Sequence, residues 1–316
     1  MKPEHRPPPE ANRDALTSYV LITPARNEAA FIELTIQSVI GQTVLPLKWV
    51  IVSDGSTDGT DDMVKKYLDD HDWIELVRMP ERKERHFTGK VLAFNAGRDR
   101  VEHLNYDVIG NLDADISFEE DYFEFLMGKF AEDPDLGVGG TPFREGSAQY
   151  NYRFTSHQHV SGACQLFRRE CFESIGGYVP IAMGGIDLVA VITARMRGWK
   201  TLSFPEKVCI HHKKTQSRGD LRLRRIFRSG YHDYLMGGDP VWQTFRSGYQ
   251  MTRAPFVIGG CLLLAGYVWA MLTRAQKPVS DELVAFRRVE QRQRLKVFLK
   301  DALTFWRLGA KSGART

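Results

Sequence analysis

The stretch Val108-Ile109-Gly110-Asn111-Leu112-Asp113-Ala114-Asp115-Ile116 decides how this chain is read. It is a short apolar strand ending in two carboxylates spaced i, i+2. Side chains two apart on a strand share a face, so Asp113 and Asp115 converge just past the strand end. Carboxylate oxygens placed this way suit a hard divalent cation, Mg²⁺ or Mn²⁺, with coordination positions left for a diphosphate. An isolated Asp-x-Asp also suits a plain turn. Its company decides between the two.

Upstream, one unit recurs. Tyr19-Val20-Leu21-Ile22-Thr23-Pro24 is a compact apolar run, as expected of a buried parallel strand. It breaks into Ala25-Arg26-Asn27-Glu28, and Phe31, Leu34, Ile36, Val39 and Ile40 then form a helical stripe. Residues 49–53 are the next strand. They open into the polar loop Asp54-Gly55-Ser56-Thr57-Asp58-Gly59-Thr60, before a helix carrying Met63, Val64, Tyr67 and Leu68. Residues 73–77 make a third strand, and a helix beginning at Lys90 precedes the fourth at 108–112. Such alternation predicts an α/β fold with a mostly parallel, Rossmann-like sheet, flanking helices and right-handed crossovers. Ligands bind outside the carboxyl ends of such strands. Residues 24–28, 54–58 and 113–115 should therefore line one edge.

Composition narrows the partners. With 316 residues there is room for one large α/β domain and an appendage, or for two small domains. A formal charge of +4 is too mild to imply nucleic acid, and no zinc-finger or RNP signature is present. Cys164, Cys171, Cys209 and Cys261 show no C-x-x-C spacing, which predicts free thiols in a reducing compartment. Residues 1–18 are polar and proline-rich with no apolar core, so a disordered tail rather than a signal peptide is expected.

The ordered set Pro24-x-Arg26-Asn27-Glu28, Asp54-Gly55-Ser56-x-Asp58, Gly89-Lys90 with Asn95-x-Gly97, and Asp113-x-Asp115 resembles the family 2 glycosyltransferases of GT-A fold. The likeness is to non-processive, inverting members of bacterial cell-surface polysaccharide type, over residues 19–212. It implies that Pro24, Arg26 and Glu28 sit beside the base and ribose, and that Asp54 accepts from the imide N–H of uracil or thymine. Lys90 would approach a phosphate as a point charge. Asp115 would be the primary ligand of Mn²⁺ or Mg²⁺, with Asp113 contacting ribose or the metal shell. Singly, these residues also fit a tight turn, a surface ion pair and a solvated lysine.

Further along, residues 162–178 resemble the family segment that frames donor sugar and acceptor, although Gly176-Gly177 also fits a helix C-cap. In Gly185-Ile186-Asp187-Leu188 the resemblance makes Asp187 the base that deprotonates the acceptor hydroxyl. Ile186 stands where the family usually has Glu. Asp187 is equally placed to N-cap the helix after it. Residues 207–212 end in His211-His212, and a late histidine completes the metal shell in several GT-A enzymes. Adjacent strand residues point to opposite faces, so only one should reach the metal. His212 is favoured, with His211 the alternative. No Gln-x-x-Arg-Trp follows, so the resemblance implies transfer of single residues.

Composition changes near residue 216. The expected division is 19–215 for the GT-A domain (19–116 nucleotide half, 117–215 acceptor half) and 216–316 for a basic, membrane-associated helical tail. Residues 218–228 read as a basic amphipathic helix. Residues 254–273 carry no charge and are long enough for a bilayer span, with a buried core helix as the alternative, and basic flanks on both sides fit a re-entrant or monotopic hairpin nearly as well. The whole suggests transfer from a UDP- or dTDP-sugar donor to a lipid-linked or polysaccharide acceptor, at the cytoplasmic face of a bacterial or archaeal membrane. A sugar nucleotidyltransferase and an inactive membrane scaffold of the same fold are the rivals.

Overall fold

The computed structural model describes residues 18–81, 88–146, 156–213 and 219–312, with side chains of the last segment from 222 to 300. Residues 1–17 of the expected tail, and 147–155 of the expected acceptor region, lie outside these. Two compact units divide the chain, 1–215 and 216–316.

The first unit opens with β1 (Tyr19–Ala25), α1 (Ile32–Ile40), β2 (Lys48–Asp54), α2 (Thr60–Lys65), β3 (Ile74–Met79), α3 (Thr88–Asp99) and β4 (Val108–Leu112). The four strands pair in parallel in the order β3-β2-β1-β4. The chain moves outward from β1 to β3 and then returns to the other side of β1, so strand order reverses between β1 and β4. A crevice at the carboxyl ends of the two strands flanking such a reversal is where open α/β sheets bind ligands. Arg26 follows β1 and Asp113 follows β4. All five residues of β4 are buried. At its centre, a Cβ on Gly110 would lie 2.5 Å from Leu166 Cδ2 and 2.7 Å from Leu21 Cδ2, so a side chain here would have to displace both leucines. Gly97 plays the same part on α3, where a Cβ would lie 2.6 Å from Ile22 Cγ2. The helix thus rests directly on β1. In α1 the buried face is Ile32, Thr35, Ile36 and Val39, and Leu34, part of the apolar stripe in sequence, is 41% exposed.

Past β4 come β5 (Ile116–Ser117), α4 (Tyr122–Glu132), β6 (Leu136–Gly140), β7 (Phe143–Arg144), β8 (Cys164–Arg168), α5 (Arg169–Ser174), α6 (Ile186–Met196), β9 (Lys200–Ser203) and β10 (Cys209–His211). Together with the first four strands, β8, β6 and β9 complete a seven-stranded sheet, ordered β3-β2-β1-β4-β8-β6-β9. Only β8 runs against its neighbours. A small second sheet, β5-β10-β7, ties the segment after the Asp-x-Asp to the end of the unit. The core includes Tyr19, Trp49, Tyr122, Phe123 and Phe130, all nearly fully buried. Each such side chain contributes roughly 1.5–3 kcal/mol on burial. After α5, Gly176 (φ 75°) and Gly177 (φ 76°) turn the chain, and Gly177 N–H donates to Phe172 O at 3.0 Å. The C-cap reading of this glycine pair fits that geometry. All four cysteines are free.

Among the described residues, the second unit holds the helices α7 (Gly219–Leu235), α8 (Pro240–Met251), α9 (Ile258–Leu272) and α10 (Asp281–Ser312). The contact of α7 with α9 is backbone against backbone. A Cβ on Gly230 would lie 1.9 Å from Leu263 O, and one on Gly266 would lie 2.0 Å from Phe227 O. Two buried carboxylates tie the helices through arginine. Asp233 takes Arg287 at 2.7 Å, while Asp239 caps α8 through Val241 N–H and Trp242 N–H and takes Arg292 at 2.7 Å. Removing one partner of such a pair strands a buried charge.

The membrane span anticipated for 254–273 is not a single helix. Pro255 has no N–H to donate, Val257 sits at φ 57°, and helix begins only at Ile258. The 15 residues of α9 reach about 22 Å at 1.5 Å per residue, against roughly 30 Å of bilayer hydrocarbon. Among the described residues no helix is long and apolar enough to cross a membrane.

Candidate active site

The loop after β1 and the loop after β2 are latched to each other. Asn27 N–H donates to Ser56 Oγ (3.1 Å), and Thr57 N–H returns a bond to Asn27 Oδ1 (2.9 Å). Glu28 N–H donates to Thr60 Oγ1 (2.9 Å) and Ala29 N–H to Asp58 Oδ2 (3.0 Å). Burial works against the Asp58 charge, but the hydrogen bonds it accepts from the Thr60 hydroxyl, Ala29 N–H and Thr60 N–H outweigh it and hold its carboxyl below the usual range. Gly55 permits the turn: its φ is 64°, and a Cβ there would lie 2.6 Å from Glu81 Cα. Ser56 and Asp58 thus hold the neighbouring loop.

The latch leaves a cleft of about 390 Å³ lined by Pro24, Arg26, Glu28, Asp54, Lys90, Asp113 and Asp115, among others. Every residue expected at the nucleotide is on its wall. Arg26 pairs with buried Asp54 at 3.7 Å, rather than with Glu28. Glu28 instead takes Lys213 at 2.5 Å through Oε1, and its buried Oε2 accepts no hydrogen bond. Lys90 is not simply solvated; its Nζ donates to Asp113 Oδ1 at 2.5 Å. Burial disfavours the ammonium, but Asp113, with Asp187 and Asp115 behind it, more than offsets this and raises the lysine pKa.

A second cavity of about 260 Å³ adjoins. Its walls include Asn111, Phe143, Gly162, Tyr178, Asp187 and His211, and it shares Lys90 and Asp113 with the first. Asp187 is the second residue of α6, whose N-cap is Gly185 at φ 88°, so it does not cap the helix as its position suggested. A carboxylate in the first turn still lies at the favourable end of the helix dipole. Gly162 faces it: a Cβ there would lie 3.0 Å from both Cβ and Oδ2 of Asp187. Fully buried Gln165 accepts from Tyr178 Oη at 2.8 Å and donates to Val160 O, bracing the floor beside Asp187. Ile186 is buried and adds an apolar wall.

Asp113, Asp115 and His211 are grouped as metal ligands are, with one donor atom of each within 4.8 Å of the others. Burial, then the charge of Asp113, pushes the Asp115 carboxyl up to about 6, and His211 pulls the other way. A cation would restore the charged form. His211, not the favoured His212, is the histidine here, and the small sheet explains why. In the antiparallel pairing of β10 with β5, His211 lies opposite Ile116, next to Asp115, and its Nε2 is 3.4 Å from Asp115 Oδ2. His212 continues the strand direction with N–H to Asp115 O at 2.9 Å, and its ring turns to Ser117 Oγ at 2.8 Å. The His211 Nδ1 lies 3.0 Å from Lys213 O. A carbonyl only accepts, so Nδ1 donates to it, and Nε2 is the nitrogen turned toward Asp115. Two carboxylates and an imidazole form a donor set that fits a divalent cation.

Sequence reasoning did not reach Asn111 as a cavity wall, nor Lys213 as the partner of Glu28, whereas Phe143 and Tyr178 belong to the half read for the acceptor. The latch by Ser56 and Asp58 had a signal, since Asp and Ser readily bond nearby backbone N–H groups.

The family model described as glycosyl transferase family 2 matches residues 20–186. Poly-beta-1,6-N-acetyl-D-glucosamine synthase of Staphylococcus aureus (strain COL) is 30% identical over 248 residues, 72% of this chain and 58% of that protein. The chain therefore spans a little over half the length of that curated relative. Hyaluronan synthase of Pasteurella multocida is 31% identical over 125 residues, 40% of this chain and 12% of the relative. Among solved structures, the mannosyltransferase PcManGT from Pyrobaculum calidifontis, in complex with GDP-Man and Mn²⁺, aligns with a TM-score of 0.57 at 20% identity, covering 89% of this chain and 81% of that one. That is a likeness of fold. The matched span holds more than half of the residues, including the latched loops, Lys90 and both carboxylates of the Asp-x-Asp, and on that ground the chain belongs to glycosyl transferase family 2.

Proposed function

We propose that this chain is a metal-dependent, inverting glycosyltransferase that moves one sugar at a time from a nucleotide-diphosphate donor to a hydroxyl acceptor. The observation that carries the reading is the meeting of two cavities at Lys90 and Asp113, with the Asp113, Asp115 and His211 group at their junction and Asp187 in the smaller one. The larger cavity would take the nucleotide. Arg26 and Glu28 lie where base and ribose would rest, and Asp54 can accept from an imide N–H, which favours UDP or dTDP. Asp115, Asp113 and His211 would hold Mn²⁺ or Mg²⁺, which when bound neutralises charge on the diphosphate. Lys90 would donate to phosphate oxygens as the leaving group's negative charge grows.

Asp187 would accept the proton of the acceptor hydroxyl as its oxygen attacks the anomeric carbon. The new C–O bond forms opposite the departing diphosphate, which takes the electron pair of the old one, so the configuration inverts. General-base help of this kind contributes about 10²–10⁴-fold. The names of the relatives, both synthases of polysaccharides, support a polysaccharide acceptor. A lipid-linked acceptor and the cytoplasmic face of a membrane belong to the proposal on the basic, apolar character of the C-terminal helices.

Binding of UDP, dTDP, GDP and CMP, with and without Mn²⁺, to the chain and to Asp115→Asn tests the reading. The expected result is a metal-dependent preference for UDP or dTDP that the substitution removes. Binding that ignores both metal and substitution would overturn it in favour of the scaffold, the rival that Ile186 in place of Glu keeps in view. Pyrophosphate release from a nucleoside triphosphate and a sugar phosphate would point to the nucleotidyltransferase.

A further inference from the structure

Helix α9 is apolar on two opposite sides. One side, with Gly259, Gly260, Leu263, Gly266, Tyr267 and Ala270, is buried. On the other, Ile258, Cys261, Ala265, Trp269 and Leu272 recur three or four residues apart, and all are exposed. These spacings form one continuous stripe along the helix. Ile258 is 56% exposed, Trp269 57% and Leu272 71%, and the segment leading into the helix adds Phe256 at 68% and Val257 at 58%. An apolar stripe of this length on a soluble surface marks an interaction site.

What surrounds the stripe says what covers it. Between residues 222 and 277 the carboxylates are Asp233 and Asp239, both buried and both paired with arginine. The exposed charges there are all positive. At the start of the stripe, Arg222 of α7 donates to Ala254 O at 2.8 Å, and Arg253 precedes the apolar segment. At its far end Arg274 follows α9 and Lys277 lies three residues on. Exposed Arg224, Arg225 and Arg228 continue along α7. Apolar side chains bracketed by arginines, with no exposed acid among them, match a layer of apolar chains beneath anionic headgroups. The helix is too short to cross that layer but can lie along it.

We propose that α9 is an in-plane anchor. Its exposed stripe, with Phe256 and Val257, enters the headgroup and upper acyl region of an anionic phospholipid bilayer, and Arg222, Arg253 and Arg274 meet lipid phosphates at its ends. The contact needs neither nucleotide nor metal, so it stands or falls separately from the catalytic proposal.

Cys261 supplies the reporter, because it is exposed on the stripe while Cys164, Cys171 and Cys209 are buried. The full chain labelled at Cys261 with an environment-sensitive fluorophore is mixed with vesicles of phosphatidylcholine alone or with about one third phosphatidylglycerol, and partition is followed by co-sedimentation. The expected result is binding to the anionic vesicles with a blue-shifted, lipid-quenchable probe, weakened by salt. Arg253→Gln with Arg274→Gln should weaken partition at least about tenfold. Ile258→Gln with Leu272→Gln should abolish the probe shift. Both substituted pairs are exposed, and an unchanged circular dichroism spectrum would exclude unfolding as the cause. No shift with anionic vesicles, or equal binding to neutral ones, would overturn the proposal. So would a concentration-dependent dimer that shields Cys261 without lipid, which would make the stripe an interface between copies.

Discussion

The two cavities share Lys90 and Asp113 but are built in opposite ways. The larger one is assembled from loops that directly follow β1, β2 and β4, three neighbouring parallel strands. The smaller one draws Phe143, Gly162, Tyr178, Asp187 and His211 from segments separated by tens of residues, brought together by antiparallel β8 and the small second sheet. The first is a consequence of local chain order, the second of long-range pairing. Substitutions should therefore divide into those that injure nucleotide binding and those that injure only transfer.

The sharpest separation is expected at Asp187. Asp187→Asn should lower transfer by about 10²–10⁴-fold while Mn²⁺-dependent UDP affinity stays unchanged, measured by single-turnover transfer beside calorimetry. A parallel loss of nucleotide binding would mean that the cavities are not functionally distinct. Next comes Asp115→Asn. Even outer partners of metal ligands are worth roughly 10–100-fold in metal affinity, and a direct ligand should cost at least that in a Mn²⁺ titration followed by electron paramagnetic resonance.

The histidines give a smaller contrast. His211→Ala should weaken Mn²⁺ roughly tenfold. His212→Ala should leave Mn²⁺ affinity alone and cost only about 1 kcal/mol of stability through the Ser117 hydrogen bond. Proton competition should be visible as well. Asp115 titrates at about 6, and a protonated carboxyl is a poor ligand. Mn²⁺ affinity should then rise as pH climbs through about 6 and level off above it, and Asp115→Asn should flatten that rise. Smallest of all, Ser56→Ala should cost about 1 kcal/mol in thermal stability and a few-fold in nucleotide affinity, because it loosens one bond of a latch that has several.

How much of this could be read in advance follows the same division. Apolar runs placed the first four strands, and β4 begins and ends at Val108 and Leu112 as the sequence suggested. The motif residues after those strands do line one cleft, because chain order and the parallel rule suffice to bring them together. The choice between His211 and His212 required the register of β10 on β5, a pairing of residues almost a hundred positions apart. The cap of α6 depended on Gly185 adopting a left-handed conformation, which makes Asp187 a first-turn residue. Counting apolar residues from 254 to 273 gave a length sufficient for a membrane, but the count carried no information about the break at Pro255 and Val257. Composition measured the material and missed the bend.

The contact between Gly162 and Asp187 bears on any attempt to redesign what this chain glycosylates. With a Cβ 3.0 Å from the carboxylate, even alanine at position 162 would require Asp187, the proposed base, to give by a few tenths of an ångström. Phe143 lines the same cavity, whereas Tyr178 is tied to Gln165 at 2.8 Å and holds the floor beside Asp187. Under the proposed role of Asp187, Phe143 is the wall from which acceptor preference would be adjusted with least disturbance to the carboxylate, and position 162 is best kept as glycine.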